Sequence, residues 1–156
     1  MANFSNPVKS RVIVDIDGTI SKVGERLKHL QKEPADWDSF YNDCFEDEPI
    51  PEIVQLVKDL YESANEIIFC TGRRESCRDK TVQWLKNQFP SPIHKSLLLM
   101  RANSDHRHDT EVKPELLKNA RIELDSIAFV LEDRNSMVKK WREIGLICLH
   151  VAEGDF

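Results

Sequence analysis

The sequence predicts an α/β protein built on a parallel sheet with helices on both faces. Five apolar runs are continuous rather than alternating, a pattern typical of strands buried on both faces. They cover residues 12–16, 66–70, 96–100, 126–131 and 146–151. Helical patterns lie between them, and this alternation indicates parallel strands joined by crossover helices. Since such sheets bind ligands at the carboxyl ends of their strands, functional side chains are expected at the ends of these runs.

Four segments between the runs have helical spacing. Segment 51–61 has apolar residues at i, i+3, i+4 and i+7, and Pro51 suits the first turn of a helix. The other predicted helices cover residues 75–89, 114–120 and 135–144.

Length and composition favour one compact, soluble domain spanning residues 1–156. Of the 156 residues, 40% are hydrophobic and 31% charged, which suits a real core and a well-solvated surface. No apolar run could span a bilayer, and the N-terminus lacks a signal-peptide pattern, so we expect a cytoplasmic protein with no membrane partner. Four cysteines without a C-x-x-C pair are expected to be reduced core thiols.

The net charge of −5 argues against broad electrostatic capture of nucleic acid. A local group of arginines could still bind a nucleic acid end, because net charge governs non-specific binding rather than chemistry at a site. Oligomeric state is not predicted by the sequence.

Residues 21–48 interrupt the alternation and are predicted to form a small cap-like insert. A turn is expected at residues 32–34, and Trp37, Phe40 and Tyr41 recur at i, i+3 and i+4, which predicts a short amphipathic helix. Two interpretations are open. The aromatic side chains either cover the edge of the domain or belong to a cap over the site.

The first apolar run ends in two carboxylates, Asp15 and Asp17. Side chains at i and i+2 of a strand point the same way, so both should project toward one ligand site, and Gly18 lets the chain turn away. Two neighbouring carboxylates repel each other, and a divalent cation would offset this repulsion.

The segment Asp15-Ile-Asp-Gly-Thr19 resembles the first motif of the haloacid dehalogenase (HAD) superfamily, in which DxDGT follows a strand. The resemblance implies a HAD-type Rossmann-like fold and Mg²⁺-dependent phosphatase activity. It implies that Asp15 attacks phosphorus to form an aspartyl-phosphate. Asp17 would protonate the leaving oxygen and then activate water. Both residues are also candidate metal ligands.

The remaining motifs of the superfamily follow in order. Thr71 and Gly72 end the second run, and the resemblance implies that they hold a phosphate oxygen. Lys113, expected to open a helix before Pro114, corresponds to the lysine that holds the phosphoryl charge. Glu132 and Asp133 end the fourth run and correspond to metal ligands. Glu132 replaces the more usual Asp, which leaves open whether it binds metal directly, through water or only supports a ligand.

Residues 132–145 and 151–156 resemble the phosphatase half of bacteriophage-type polynucleotide kinase-phosphatases. This resemblance implies removal of a 3′-phosphate from a nucleic acid end. It implies that Arg26, Arg73 and Asp109 bind substrate together with Gly72, and arginine suits this role because its planar fork grips phosphate bidentately. No G-x-x-x-x-G-K-[ST] motif of a kinase occurs in the sequence, so a separate kinase or ligase partner is possible.

Three alternatives remain open. The protein could be a nucleotidase or another small-molecule phosphatase of the same fold, a non-catalytic phosphate-binding protein, or an accessory subunit of a nucleic acid repair complex.

Arg101 and Arg107 flank the third motif and could follow a substrate backbone. His106 and His108 are interpreted as solvated loop residues rather than zinc ligands.

Overall fold

The computed structural model describes residues 10–90 and 92–154 and contains one five-stranded parallel sheet. The strands follow the order β3-β2-β1-β4-β5. Their bounds are β1 Arg11–Val14, β2 Glu66–Arg74, β3 Leu97–Arg101, β4 Ile127–Arg134 and β5 Cys148–Gly154. The predicted parallel α/β sheet is confirmed, and each strand overlaps one of the predicted runs.

The strand order reverses beside β1. The chain runs from β1 outward through β2 to β3, then returns to place β4 on the other side of β1. In open α/β sheets such a reversal opens a crevice at the carboxyl ends of the two strands. Just past β1, the amide of Asp15 still donates to the carbonyl of Leu131 at 3.1 Å, so β1 delivers its first carboxylate directly beside β4.

Helices cover both faces of the sheet, as predicted. Val12 and Val14 of β1 belong to one apolar core cluster, and Ile13 between them belongs to the other. This alternation is the period-2 geometry of a strand buried on both sides. The helices are α1 Leu27–Leu30, α2 Trp37–Asn42, α3 Pro51–Glu62, α4 Arg78–Gln88, α5 Asp109–Asn119 and α6 Asn135–Glu143.

Helix α5 begins earlier than predicted. It starts at Asp109, so Lys113 and Pro114 lie inside the helix rather than at its opening. The His108 side chain caps the helix by accepting from the amide of Thr110 at 3.3 Å. Proline suits the first turn of a helix, which is why the helix was expected to begin near Pro114. The helix instead begins one turn earlier, at Asp109, whose carboxylate pairs with Arg101 and Arg134.

The prediction that the last apolar run is buried on both faces is wrong. Strand β5 lies at the edge of the sheet and pairs only with β4. Ile147, just before β5, and Leu149 within it are 65% and 45% exposed, so other elements do not cover both faces here. A continuous apolar run cannot show whether both faces of its strand are covered, because the covering elements come from distant parts of the chain.

The insert contains the predicted aromatic helix, which forms α2. Its first turn is capped by Asp36, whose side chain accepts from the amide of Ser39 at 3.0 Å. The two ends of the insert meet at its base, where the amide of Lys22 donates to the carbonyl of Glu48 at 2.8 Å. The insert is thus closed off as a compact excursion between β1 and α3.

The four cysteines are buried and free, as expected. Among the described residues, no helix has both the length and the apolar character needed to cross a membrane.

Candidate active site

Asp15 lies at the carboxyl end of β1 and is held by two donors. Its Oδ1 accepts from Lys113 Nζ at 2.7 Å, and its Oδ2 accepts from Thr19 Oγ1 at 3.2 Å. Lys113 also donates to Glu132 Oε2 at 2.8 Å. One buried ammonium group on α5 therefore joins the ends of β1 and β4.

Three buried carboxylates meet at this point, and we call Asp15, Glu132 and Asp133 the acidic cluster. Each offers an oxygen atom, and these oxygens all lie within 4.8 Å of one another. Lys113 is the ammonium paired with two of them, and Arg134 interacts electrostatically with all three. An all-oxygen donor set of this kind suits Mg²⁺.

Burial makes this concentration of negative charge costly. Burial and then the neighbouring Glu132 raise the pKa of Asp133 to about 6. The same two causes raise the pKa of Asp15 well above its usual value, although Lys113 opposes them. Carboxylates that resist ionisation without a further positive charge are those expected to gain most from binding a cation.

Glu132 is fixed from two sides. Its Oε2 accepts from Lys113 Nζ and, at 3.4 Å, from the indole Nε1 of Trp141 on α6. The longer glutamate side chain thus reaches both the lysine and the helix while remaining in the acidic cluster.

Asp133 is enclosed by the ends of two other segments. Thr19 Oγ1 lies 3.2 Å from its Oδ1, so the one hydroxyl proton is shared between Asp15 and Asp133, which links Asp133 to the β1 loop. A Cβ atom at Gly18 or at Gly154 would collide with the Asp133 carboxylate. Gly18 also has a φ of +84°, so glycine is required there both for its backbone conformation and for the close approach.

Asp17 takes part in a second group of charges, the arginine–aspartate cluster, formed by Asp17, Asp47, Arg26 and Arg73. Asp17 Oδ1 accepts from the Nη2 atoms of Arg26 and Arg73, each at 2.6 Å. Asp47 Oδ2 accepts from the same two atoms at 2.6 and 3.1 Å. Both guanidinium groups are buried, and two positive charges balance two negative ones.

Asp17 is predicted both to bind the metal and to transfer protons, and its pairing with two arginines bears differently on these two roles. Among the described residues, the group of carboxylates placed to hold a metal is the acidic cluster, and Asp17 is not a member of it. Burial alone would raise the pKa of Asp17, but Arg73 and Arg26 outweigh it and lower that pKa below its usual range. Arg26 and Arg73, the predicted substrate-binding arginines, are engaged with aspartates in this conformation.

The other predicted substrate residues lie next to this group. Thr71 is buried, and its Oγ1 accepts from the amide of Arg73 at 3.2 Å. Asp109 forms ion pairs with Arg101 and, at 2.7 Å, with Arg134. A Cβ atom on Gly72 would lie 2.7 Å from Asp109 Oδ1, so a larger residue would displace the Asp109 carboxylate.

Sequence reasoning missed several residues of the site. Thr19 stands in the DxDGT motif and could have been found from it, and Arg134 directly follows the fourth motif. Asp47, Trp141 and Gly154 had no local signal, because each reaches the site only through the tertiary fold.

An open pocket of about 570 Å³ adjoins the site, and we call it the aromatic pocket. Its walls come from the insert, the ends of β2 and β3, and the loop before α5. They comprise Asp17, Leu30, Trp37, Phe40, Tyr41, Gly72, Arg74, Arg101, Asp105, His106, Arg107, His108, Asp109 and Arg134.

Known structures of phosphatases and of a nucleic acid repair complex resemble this chain. A chain in the structure of the Pnkp1/Rnl/Hen1 complex is 29% identical, with a TM-score of 0.78 over 96% of this chain and 48% of that one. The class C acid phosphatase from Bacillus anthracis with tungstate bound is 16% identical, with a TM-score of 0.64, covering 97% of this chain and 70% of that one. Because the identity is only 16%, the similarity to the acid phosphatase supports the fold and says nothing about function.

A curated relative comes from Autographa californica nuclear polyhedrosis virus and bears the name "Putative bifunctional polynucleotide kinase/RNA ligase". It is 27% identical over 134 residues, which are 85% of this chain but 18% of the relative. The chain thus spans about half of the matched Pnkp1/Rnl/Hen1 chain and under a fifth of the viral protein.

The family model for the polynucleotide kinase PNKP phosphatase domain matches residues 9–156. The predicted HAD-type fold and the predicted family are thereby confirmed. The chain belongs to the PNKP phosphatase domain family and is a HAD-type phosphatase domain.

Proposed function

We propose that the protein is a Mg²⁺-dependent phosphomonoesterase that removes the 3′-phosphate from a nucleic acid end through an aspartyl-phosphate on Asp15. The observation that carries the proposal is the acidic cluster at the strand reversal, where Asp15 is held by Lys113 and Thr19. The family match supports the same chemistry. We further propose that residues 1–156 act as one domain with residues 21–48 as a cap-like insert.

Asp15 is positioned for attack by its two hydrogen bonds, which leave little rotational freedom to the carboxylate. Held by Asp15, Glu132 and Asp133, Mg²⁺ would withdraw electron density from the phosphoryl oxygens and reduce the repulsion between phosphate and carboxylate. Lys113 stabilises negative charge at the same point. The Thr71 hydroxyl and the backbone near Gly72 are proposed to orient the phosphate.

Asp17 supplies the proton for the leaving oxygen and later removes one from the attacking water. Because Arg73 and Arg26 lower the pKa of Asp17 in this conformation, it can hold the proton that it donates only when these arginines turn away from it. Its location supports this role, since Asp17 stands two residues from Asp15 and also lines the aromatic pocket. The leaving group would then occupy the pocket while its phosphate lies at Asp15. Arg26 and Arg73, which hold Asp17, are proposed to contact the bound phosphate once they release Asp17.

A substrate panel tests the proposal. Phosphate release is measured from 3′-phosphorylated oligonucleotides, 5′-phosphorylated oligonucleotides and nucleoside monophosphates, each with Mg²⁺ and with EDTA. We expect release from the 3′-phosphorylated oligonucleotide with Mg²⁺, none with EDTA, and none from the Asp15→Asn variant. Activity that persists in EDTA contradicts the metal role.

The second candidate function is that of a nucleotidase, and the volume of the aromatic pocket supports it. About 570 Å³ is enough for a single nucleotide. Turnover of mononucleotides equal to or faster than that of oligonucleotides would select this function. Absence of hydrolysis on every phosphoester would instead select a phosphate-binding or accessory role.

We also propose that the domain works beside a kinase or ligase activity, on a separate chain or within the same one. The chain in the Pnkp1/Rnl/Hen1 complex and the named viral relative support this proposal. Copurification of the domain from its native source with nucleic acid kinase or ligase activity is the expected result.

A further inference from the structure

We infer that the aromatic pocket binds the terminal nucleobase of the substrate, stacked on Trp37 and beside Arg74. This inference rests on the proposed function and extends it from the phosphate to the nucleoside that carries it. The phosphate residues alone would accept any phosphomonoester, so a base site would supply the preference for a nucleotide end.

The pocket is continuous with the phosphate site. Asp17, Gly72 and Asp109 line it and also belong to the group of predicted catalytic and substrate residues. A phosphate seated at Asp15 would therefore have its leaving group directed into this space. Its volume of about 570 Å³ can hold a nucleoside together with part of the adjoining backbone.

One wall of the pocket is an aromatic surface on α2. Trp37 is 44% exposed, and its ring stacks on Tyr41 with centroids 6.0 Å apart and planes 27° apart. Phe40 meets the Trp37 ring edge-on at 5.8 Å and is itself buried. An indole supported by two rings but open to the pocket is a rigid platform for a base. The other tryptophans, Trp84 and Trp141, are buried.

Arg74 provides a donor that the protein leaves unused. Arg74 lines the pocket, and its Nη atoms lie 3.3 Å from His106 Nδ1 and 3.7 Å from Asp38 Oδ1. The Arg74 guanidinium lies 5.1 Å from the centroid of the Tyr41 ring, which holds it against the aromatic wall. Its Nε is buried and has no hydrogen-bond partner within the described part of the chain.

A buried N–H without an acceptor is costly, and an acceptor atom of a ligand would remove that cost. Base edges and phosphate oxygens are such acceptors. The ring platform and Arg74 both line the aromatic pocket, and a nucleotide offers a base to the rings and acceptor atoms to the guanidinium group. Since every base has a π-face, stacking here should tolerate all four bases in DNA or RNA.

The test compares two 3′-phosphorylated oligonucleotides that differ only in whether the terminal nucleotide carries a base or is abasic. Trp37→Ala should raise KM for the base-carrying substrate about 5- to 150-fold, the equivalent of stacking one base. The abasic substrate should change little. Trp37→Phe should keep most of the affinity, because it retains an aromatic face.

Phe45→Ala is the matched control. Phe45 lies in the same insert and is 42% exposed, but it does not line the aromatic pocket. This variant should leave both substrates unchanged. A Trp37→Ala effect of the same size on both substrates, or no effect on either, overturns the inference while leaving the proposed phosphatase function intact.

A binding measurement separates failure of the inference from failure of the proposed function. Because Trp37 is the exposed member of the three tryptophans, an unphosphorylated oligonucleotide should quench the intrinsic fluorescence of the wild type, and Trp37→Phe should lose this quenching. Quenching without any phosphate release would remove the proposed function and keep the base site. Phosphate release from the base-carrying substrate without quenching would remove the base site alone.

Discussion

Two charged clusters flank the carboxyl end of β1, and they differ in how their charges are paired. In the acidic cluster three carboxylates lie together, Lys113 is paired with two of them, and Arg134, itself paired with Asp109, interacts electrostatically with all three. The arginine–aspartate cluster pairs two guanidinium groups with two carboxylates, Asp17 and Asp47. Both are buried, so in both the cost of removing charges from water must be offset by partners.

The difference separates a cluster that a further cation would stabilise from one whose charges are already paired. Burial and mutual repulsion raise the pKa of Asp15 and Asp133, so a divalent cation would stabilise the acidic cluster. In the arginine–aspartate cluster each charge already has a partner of opposite sign. This cluster joins Arg26 and Asp47 of the insert to Asp17 and Arg73 of the sheet, and the indole Nε1 of Trp84 supports it by donating to the Asp47 carbonyl at 2.8 Å.

The sharpest test of the acidic cluster is removal of its nucleophile. Asp15→Asn keeps the shape of the side chain but removes the attacking charge, so turnover of a 3′-phosphorylated oligonucleotide should fall about 10⁴-fold or more. Circular dichroism of the variant should match the wild type. Residual activity above about one per cent would show that another group attacks phosphorus.

Asp17 belongs to the arginine–aspartate cluster and is also proposed to transfer protons in catalysis. A variant of Asp17 therefore tests whether this cluster takes part in the reaction. Asp17→Asn should lower turnover about 10²- to 10⁴-fold, the usual contribution of general acid–base catalysis. The measurement is kcat on the same oligonucleotide, with thermal unfolding recorded in parallel. A loss of less than tenfold contradicts the proton-transfer role.

Asp47→Asn should lower the stability of the fold, because Asp47 is one of the two carboxylates in the arginine–aspartate cluster. The substitution leaves the buried charges of Arg26 and Arg73 with one carboxylate between them, and breaking such a pair costs about 3–5 kcal/mol in free energy of unfolding. Denaturant titration measures the change. Glu48→Gln is the matched control, since the neighbouring Lys22–Glu48 pair is exposed and should contribute little. Equal losses in the two variants would refute the distinction between buried and exposed pairs here.

The smallest expected effect concerns cation binding. Mg²⁺ at a hundred times its Kd should stabilise the wild type by about 2.7 kcal/mol. Asp133→Asn should abolish this gain, because it removes one ligand of the acidic cluster. In EDTA the same variant should be no less stable than the wild type, since it relieves repulsion from Glu132. A large destabilisation in EDTA would mean that the charges of the acidic cluster already stabilise the fold without a cation.

Local patterns were sufficient for much of the fold. Buried strands and amphipathic helices each leave a signal within a few residues, so all five strands and the aromatic helix α2 were located. The start of α5 and the exposure of β5 were not, because α5 extends back to the cap formed by His108 and because the packing of other elements decides which faces of a strand are covered.

The same division holds for the site. By itself, the sequence determined which side chains the strands deliver to one edge of the sheet, since a motif at the end of a buried strand is a local feature. Only the tertiary structure decided how these side chains pair. Asp15 meets Lys113 across 98 residues, and Asp17 meets Arg73 across 56. Over such separations the pairing of charges follows from burial and geometry, so the fold alone placed Asp15 in the acidic cluster and Asp17 in the arginine–aspartate cluster.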